Sequence, residues 1–321
     1  MIDRFGRNID YLRISVTDKC NLRCRYCMPD SVPNIPMAEL LTFEEIASVV
    51  KIGAALGITK IKLTGGEPLV RRGIESLVGQ LKSIDGIASV TMTSNGILLA
   101  EKADALKAAG LDAINVSLDT LDADEFERVA GRPGLDKVLA GIDAALNAGI
   151  PVKINTVNRP EITAETVLAL AEYFKTKPID LRFIEMMPIG AGKGEGTTDN
   201  GRIRDILDRA YGEPVADSSV HGNGPAVYVR YPGMTGAVGF ISAVHGKFCA
   251  DCNRVRMSAV GELKACLCYQ SAASIRQPLR AGDMDAVKRI LTETIYNKPA
   301  EHCFEDPDLI TERKNMTAIG G

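Results

Sequence analysis

Six short runs rich in β-branched residues alternate with segments of helical periodicity between residues 12 and 184. Parallel neighbouring strands need crossover connections, and helices usually supply them, so this alternation predicts a parallel sheet. Six such units predict an α/β fold built as an incomplete (βα)6 TIM-like barrel. The predicted strands cover residues 12–16, 60–64, 90–93, 113–118, 152–157 and 180–184. The first predicted helix begins at the Thr42/Glu45 capping box, and four more helices are predicted over 71–83, 100–109, 135–148 and 163–175.

The pattern changes after Pro188, where a glycine-rich stretch over 189–196 has no apolar periodicity. A helix near 201–211, short strands near 226–231 and 237–242, and a helix over 283–297 are predicted beyond it. We therefore predict two parts in this chain of 321 residues, a barrel core over 1–188 and a C-terminal region over 189–321.

Composition narrows the class of protein. Hydrophobic residues make up 45% and charged residues 25%, as in ordinary folded proteins. The net charge of −3 gives no overall basic field, which argues against a generic nucleic-acid binder. The N-terminus carries charges where a signal peptide needs an apolar core, and no apolar run reaches membrane-spanning length. We predict a cytoplasmic protein without membrane or nucleic-acid partners.

Cysteine usage points to metal binding. Cytoplasmic thiols are kept reduced, so the eight cysteines are not expected to form structural disulfides. Six of them fall into two sets, and Cys268 and Cys303 stand outside both. The sets are Cys20, Cys24 and Cys27, called the first set below, and Cys249, Cys252 and Cys266, called the auxiliary set.

The first set has the spacing C-x3-C-x2-C and follows the first predicted strand. A four-iron cube held by three thiolates leaves one iron open to a small molecule. Structural zinc sites normally have four protein ligands, and no fourth Cys or His lies near this loop in sequence. The spacing therefore favours an iron–sulfur cluster, with zinc or unrelated thiols as the alternative.

The auxiliary set is less specific. Cys268 could complete a four-thiolate zinc site, so the number of ligands leaves zinc and a second cluster equally supported. Arg254 and Arg256 directly follow the first two cysteines of this set, and guanidinium groups suit phosphate oxygens. A solvated charged surface is the alternative for the arginine pair.

Two further segments carry a family resemblance. Tyr26 directly before Cys27, and the Gly65-Gly66-Glu67-Pro68 turn after the second strand, resemble the radical S-adenosylmethionine superfamily. Paired glycines let a backbone approach a ligand closely, although such a turn alone would simply end a strand. With the auxiliary set, the arginine pair, residues 10–18 and the C-terminal residues 315–321, the whole chain is similar to one family, the GTP 3′,8-cyclases or molybdenum cofactor biosynthesis protein A.

This resemblance implies two [4Fe–4S] clusters and S-adenosylmethionine as cofactors. In the family, an open iron of the first cluster chelates S-adenosylmethionine, and one electron cleaves it to a 5′-deoxyadenosyl radical that removes the C3′ hydrogen of GTP. The product is 3′,8-cyclo-7,8-dihydro-GTP, and this lyase reaction is the first step of molybdopterin biosynthesis. The resemblance also implies a homodimer that passes its product to cyclic pyranopterin monophosphate synthase. The electron donor is not assigned.

The resemblance also assigns residues. The first and auxiliary sets would each hold a cluster, leaving Cys268 and Cys303 without a role as ligands. The expected S-adenosylmethionine contacts are Tyr26, Gly66, Ser117 and Met187; the expected GTP contacts are Arg13, Lys62, Thr93, Lys153, Arg254, Val255 and Arg256, with Arg182 as an addition. Gly320 and Gly321 would reach into the active site. Lys62 stands where the family often has Arg, so it keeps the charge and loses the bidentate geometry.

Two other functions remain open on the sequence. One is another radical S-adenosylmethionine enzyme with an auxiliary cluster, such as a peptide-modifying enzyme. The other is a non-catalytic zinc-binding protein. His221, His245 and His302 show no ligand spacing and are predicted to be ordinary loop or surface residues.

Overall fold

A computed structural model describes residues 1–28, 35–194, 196, 198–271 and 273–319. The strands are β1 (Tyr11–Ser15), β2 (Lys60–Thr64), β3 (Ser89–Ser94), β4 (Ala113–Ser117), β5 (Val152–Asn158), β6 (Ile179–Glu185), β7 (Val215–Asp217), β8 (Val227–Arg230), β9 (Val238–Ile241), β10 (Arg254–Met257), β11 (Glu262–Lys264) and β12 (Ala273–Ser274). Each of the six predicted barrel strands lies within two residues of its predicted ends.

Helices follow most of the barrel strands, and short side chains cap several of them. The helices are α1 (Phe43–Ala55), α2 (Ile74–Lys82), α3 (Leu99–Ala108), α4 (Ala123–Ala130), α5 (Leu135–Asn147), α6 (Ala164–Phe174), α7 (Asn200–Tyr211), α8 (Arg276–Arg280), α9 (Met284–Tyr296) and α10 (Met316–Ile319). The Thr42/Glu45 capping box begins α1, as predicted. The prediction missed α4, although Asp122 caps it.

One sheet runs through the described chain in the order β12-β11-β10-β1-β2-β3-β4-β5-β6-β9-β8-β7. Strands β1 to β6 are parallel in sequence order, so the predicted incomplete α/β barrel is confirmed. Both open edges continue into the C-terminal region, because β10 pairs in parallel with β1 and β9 with β6. The sheet continues across residue 188, so the predicted domain boundary at that point stays a prediction.

The inner and outer faces of the barrel sheet differ in polarity. Apolar strand residues pack under the surrounding helices, as for Leu12, Ile61 and Ile114, which are fully buried. Their neighbours along the strands, such as Arg13 and Lys62, face a cavity inside the barrel because side chains alternate along a strand. No helix among the described residues is long and apolar enough to cross a membrane.

A smaller apolar cluster holds the C-terminal segment against the loop that follows β11. Ile189, Leu267, Phe304 and Ile319 are among its buried members. At its centre Cys268 and Cys303 form a disulfide, with 6.4 Å between their Cα atoms. The expectation that no cysteine would form a disulfide is therefore wrong. The two sulfur atoms meet where the C-terminal segment packs against the loop that follows β11.

Candidate functional site

A cavity of about 560 Å³ lies inside the barrel between the two cysteine sets. All six cysteines of the two sets line it. Between the sets, cationic and polar side chains from β1, β2, β5, β6 and β10 form its wall. The fold thus brings together two groups of thiols that lie more than 200 residues apart in sequence, with one open space between them.

Backbone contacts shape the first cysteine loop. The Arg23 guanidinium donates to the carbonyl oxygens of Cys20 at 2.8 Å and Leu22 at 2.7 Å. The Cys27 amide donates to the Cys24 carbonyl at 3.0 Å. These bonds turn the chain back on itself, so the three thiols converge on the cavity.

The glycine turn after β2 packs directly on that loop. The amides of Gly66 and Glu67 donate to the carbonyls of Thr17 and Lys19, both at 2.8 Å. A β-carbon on Gly66 would lie 2.3 Å from the Lys19 oxygen, so no side chain fits there. Gly66 also lines the cavity, at the place where the expected cofactor contact requires an open backbone.

Glu67 joins this turn to the end of β3. Its carboxylate accepts from the amides of Leu69 at 2.9 Å and Asn95 at 2.6 Å, and from the Ser94 hydroxyl at 2.9 Å. Burial raises the pKa of Glu67 to about 7, although these three donors oppose the shift. Glu67 therefore has a structural role that sequence reasoning did not assign.

The first-set thiols lie in surroundings that disfavour negative charge. Burial, together with the neighbouring Cys20 and Asp119, raises the pKa of Cys27 to about 12. Burial also raises the pKa of Cys20 and of Cys24. Thiolates at these positions need a metal to compensate for the lost hydration.

The expected S-adenosylmethionine contacts cluster around the same loop. Gly66, Tyr26, Ser117 and Met187 all line the cavity. The Tyr26 hydroxyl donates to Asp119 Oδ2 at 2.7 Å, and Asp119 Oδ1 accepts from the Val157 amide at 2.8 Å. Asp119 thus fixes the orientation of Tyr26, a role that the sequence did not reveal.

Cys252 of the auxiliary set lies in the opposite electrostatic environment, whereas burial raises the pKa of Cys249 as it does in the first set. Burial opposes ionisation of Cys252, but Arg254 and Lys298 lower its pKa to about 7. The Arg254 Nη2 atom lies 3.8 Å from Cys252 Sγ, and the His302 amide donates to Cys249 Sγ at 3.4 Å. Cys268 is fully buried in its disulfide and does not join this set, which removes the four-thiolate zinc arrangement considered above.

The donor sets fit iron–sulfur clusters with an open iron. Among the described residues, the free cysteines are the three of the first set and the three of the auxiliary set. Three thiols around one cavity match a four-iron cube that keeps one coordination position for a small molecule. Both sets face the same cavity, so both open positions would be reachable from it.

The expected GTP contacts form one patch of cations on the cavity wall. Arg13 of β1 lies between Arg256 of β10 and Lys62 of β2 in the sheet register. Lys153 of β5 lies nearby, with its Nζ 3.0 Å from Asp180 Oδ2. Arg13, Lys62, Thr93, Lys153, Arg182, Arg254 and Arg256 all line the cavity.

Burial and mutual repulsion lower the proton affinity of this patch. Burial lowers the pKa of Arg13 to about 10, with Arg254 and Arg182 adding to the effect. The pKa of Lys62 is lowered well below its usual 10.5 by burial and by Arg182, Arg13 and Lys153. In addition, Nε and Nη2 of Arg182 are buried with no hydrogen-bond partner in the described part of the chain. A polyanion placed here would offset the repulsion among these groups.

Val255 is an exception among the expected GTP contacts. It is 1% exposed and packs in the hydrophobic core rather than facing the cavity. Because side chains alternate along β10, Arg254 and Arg256 point to one face and Val255 to the other. The Val255 side chain therefore faces away from the cavity, and a contact of this residue with GTP stays a prediction.

Three residues at the site were missed or misjudged from the sequence. Lys298 and His302 line the cavity and are 3% and 6% exposed; His302 lies in a loop, as predicted, but it is buried and not on the surface. His221 also lines the cavity and its Nδ1 lies 2.9 Å from Asp180 Oδ2. Nothing in the sequence indicated these three residues, because they lie in loops, which have no periodic pattern. His245 is partly exposed beside Glu185, as an ordinary surface histidine would be.

The C-terminal segment reaches the first cysteine set. Met316 and Thr317 of α10 line the cavity, and the Thr317 amide donates to the Cys27 sulfur. Gly320 and Gly321, which were expected in the active site, lie outside the described residues. The residues just before them are thus placed at the cavity.

Comparisons with known proteins agree with this site. The Radical SAM superfamily model matches residues 14–174, and the Molybdenum Cofactor Synthesis C model matches residues 179–304. The first match defines the class of protein, an enzyme of the radical SAM superfamily, whose members bind a [4Fe–4S] cluster and S-adenosylmethionine. Proteins of Clostridium perfringens and Moorella thermoacetica named GTP 3′,8-cyclase are each 42% identical to this chain, with 100% of both chains covered. The chain belongs to the family of these cyclases.

Solved structures support the fold at greater distance. Streptococcus suis SuiB bound to S-adenosylmethionine superposes with a TM-score of 0.63 at 14% identity, covering 92% of this chain and 67% of that one. SuiB bound to its precursor peptide SuiA also superposes with a TM-score of 0.63. At this identity the similarity establishes the shared architecture alone.

Proposed function

We propose that this chain is a radical S-adenosylmethionine GTP 3′,8-cyclase, a lyase that converts GTP to 3′,8-cyclo-7,8-dihydro-GTP in the first step of molybdenum cofactor biosynthesis. The observation that carries this proposal is one cavity that joins two three-cysteine sets through a patch of buried and half-buried cations. A peptide-modifying enzyme would need neither so many buried cations nor their alignment in one sheet register.

In this function the first set, Cys20, Cys24 and Cys27, holds a [4Fe–4S] cluster. When bound, that cluster supplies the electron that cleaves S-adenosylmethionine to the radical that removes the C3′ hydrogen of GTP. Tyr26, held by Asp119, and the open backbone at Gly66 hold the cofactor beside the loop, together with Ser117 and Met187. These residues position and shield the cofactor rather than exchange protons with it.

The cation patch holds the triphosphate. Arg13, Lys62 and Arg256 lie side by side in the sheet register, and Lys153, Arg182 and Arg254 complete the patch around them. Thr93 adds a hydroxyl to the same wall. Binding of a tetra-anion replaces repulsion among these groups by attraction, and it orients the ribose toward the first cysteine set.

The auxiliary set, Cys249, Cys252 and Cys266, would hold a second [4Fe–4S] cluster, and three protein ligands would leave it one coordination position for the guanine base. The base would then be held at the auxiliary set, and the triphosphate would be held by the cations of the cavity wall. Two attachments fix the distance between C3′ and the cofactor, so positioning accounts for the selectivity of hydrogen removal.

The test is anaerobic reconstitution followed by iron counting and nucleotide dependence of S-adenosylmethionine cleavage. We expect iron for two clusters per chain, and 5′-deoxyadenosine formation with GTP and not with ATP, together with a cyclic guanosine product. Cleavage that depends on a peptide would identify the peptide-modifying alternative. Zinc in place of iron at both sets would contradict an enzymatic function and identify the non-catalytic zinc-binding alternative.

We further propose that Gly320 and Gly321 enter the cavity beyond α10. Deletion of these two residues is expected to leave both clusters in place and abolish cyclisation. The control is a Gly320→Ala variant, which keeps the chain length and adds one methyl group. Full cyclase activity after deletion would contradict the proposal.

The wider setting follows from the same function. We propose a cytoplasmic homodimer that passes its oxygen-sensitive product to cyclic pyranopterin monophosphate synthase. Sedimentation of the reconstituted protein tests the dimer, and coupled turnover with the second enzyme tests the transfer.

A further inference from the structure

Lys298 is a buried cation beside the auxiliary cysteine set. It follows α9, is 3% exposed and lines the cavity. Its Nζ donates to the carbonyl oxygen of Ala265 at 2.5 Å, one residue before Cys266, and to the sulfur of Cys252. One ammonium group thus contacts one cysteine of the set and the backbone next to another.

The charges around Lys298 distinguish it from the other buried lysine of this region. Lys264 has a carboxylate partner, Glu312. For Lys298, the negative groups that act on it are the sulfurs of Cys252 and Cys266, and no carboxylate pairs with it in the described part of the chain. Burying an ammonium without a carboxylate partner costs several kcal/mol, and a negative group at this place would offset that cost.

The segment that carries Lys298 is fixed in place. The Arg7 guanidinium donates to the carbonyls of Pro299 at 2.6 Å and Ala300 at 2.8 Å, and also to the carbonyl of Cys249 at 2.9 Å. Asp3 in turn holds Arg7 at 2.7 Å. The N-terminal residues therefore tie the residues after Lys298 to the auxiliary loop, which keeps the ammonium at a constant distance from the thiols.

We propose that Lys298 is the permanent counter-ion of the auxiliary [4Fe–4S] cluster. This inference rests on the proposed function, since it requires a cluster at that set. Reduction adds one negative charge to a cluster, and a fixed cation in a low-dielectric environment favours the more negative state. Lys298 therefore raises the reduction potential of the auxiliary cluster and stabilises its binding.

In the described part of the chain, Arg23 is a cation that acts on the first set, but it is half-buried and donates to the backbone carbonyls of Cys20 and Leu22 rather than to a sulfur. The buried neighbours of the first set include the carboxyl groups of Glu67 and Asp119. Arg254 also approaches Cys252, but it belongs to the proposed triphosphate patch, where a substrate would share its charge. Lys298 is thus the cation dedicated to one of the two clusters, and it separates their potentials within one cavity.

The test compares Lys298→Met with Lys298→Arg in the full chain, after anaerobic reconstitution. Each is made in a background with Cys20, Cys24 and Cys27 replaced by alanine, so that only the auxiliary cluster is titrated by electron paramagnetic resonance. We expect Lys298→Met to lower the reduced-to-oxidised ratio at a given potential about tenfold, which is about 59 mV for one electron. Lys298→Arg keeps the charge and is expected to shift the ratio much less.

The first cluster provides the matched control. In a background with Cys249, Cys252 and Cys266 replaced by alanine, Lys298→Met is expected to leave the potential of the first cluster unchanged. An unchanged auxiliary potential in a fully iron-loaded Lys298→Met protein would overturn the proposal, as would equal shifts in the Met and Arg variants. Iron loss in the Met variant alone supports a counter-ion; iron loss in both variants overturns it.

Failure of this inference and failure of the proposed function are distinguishable, because the titration uses neither GTP nor turnover. A normal auxiliary cluster without a potential shift contradicts only the role of Lys298. A shift in a chain that does not cyclise GTP contradicts only the cyclase. Absence of iron at the auxiliary set contradicts both.

Discussion

Lys62 shows how a binding residue can oppose folding. Lys62 is 8% exposed, and burial together with three neighbouring cations lowers its pKa well below 10.5. In the ligand-free protein this charge is desolvated and repelled, so it destabilises the fold. The same position on β2, next to Arg13, makes it useful once a polyanion is bound.

We therefore predict that Lys62→Met stabilises the ligand-free protein by about 1–3 kcal/mol while weakening GTP binding at least tenfold. Urea denaturation measures the first effect, and equilibrium dialysis with GTP measures the second. Lys60→Met is the control, because Lys60 is half-exposed and paired with Asp10. A destabilised Lys62→Met protein would contradict the electrostatic explanation.

The pH dependence of stability follows from the same shift. Between the lowered pKa of Lys62 and 10.5, the unfolded chain binds a proton that the folded chain does not. Stability of the ligand-free protein therefore increases with pH across that range. In Lys62→Met this increase is expected to be smaller, and urea midpoints measured at several pH values compare the two proteins directly.

Gly66 makes a sharper steric prediction. A β-carbon there would meet the Lys19 carbonyl at 2.3 Å, so Gly66→Ala must displace the first cysteine loop. We expect it to lose the iron of the first cluster and keep that of the auxiliary cluster, measured by iron content. Gly79→Ala in α2 is the control, since its nearest neighbouring atom would be 4.0 Å away and both clusters should remain.

Residue-level prediction from sequence succeeded where spacing or strand position carried a signal. The cysteine sets and the strand residues Arg13, Lys62 and Lys153 are of this kind, because their places on parallel strands put them on one face. The orientation of the Val255 side chain into the core follows from the alternation along β10, where its two neighbours are the arginines that line the cavity. Lys298 and His302 could not be found, because the loop after α9 that delivers them is positioned only by tertiary contacts.

At the scale of elements, β10 is what joins the two cysteine sets. It directly follows Cys249 and Cys252 and pairs with β1, the strand that precedes the first set. The two cysteine sets are therefore brought to neighbouring strands of the barrel. The sequence did not predict this strand, since its four residues alternate too briefly to give a clear period. Its pairing with β1 required the folded sheet to be known.

The Cys268–Cys303 bond supports a prediction about the elements it links. It closes a loop across 35 residues, for which chain entropy gives about 3–4 kcal/mol of stabilisation. We expect the Cys268→Ala, Cys303→Ala double variant to lose about that much in oxidising buffer and to bind as much iron as the unmodified chain. Equal stability of the two proteins in a reducing buffer is the control. A loss of iron would instead identify one of these thiols as a ligand.

At the scale of the whole molecule, the six-unit barrel was predictable because each unit carries its own local signal of strand, turn and capped helix. The closure of the barrel edges was not, because β9 and β10 come from a region whose short strands pair over long sequence distances. The C-terminal region therefore supplies the strands at both ends of the sheet and does not form a separate appendage.

This topology predicts that the barrel core does not fold alone. A fragment of residues 1–188 would expose the edge of β1 that pairs with β10, the edge of β6 that pairs with β9, and the face of α1 that packs on α9. Unpaired edges of this kind promote association between chains, so we expect the fragment to aggregate in size-exclusion chromatography. Full-length protein cut at a protease site placed between Lys193 and Thr198 is the control. The cut protein should stay associated and keep its clusters, because the shared sheet, and not the linking peptide, holds the two halves together. If the 1–188 fragment were instead monomeric and cooperatively folded, the boundary after residue 188 would be a true domain limit.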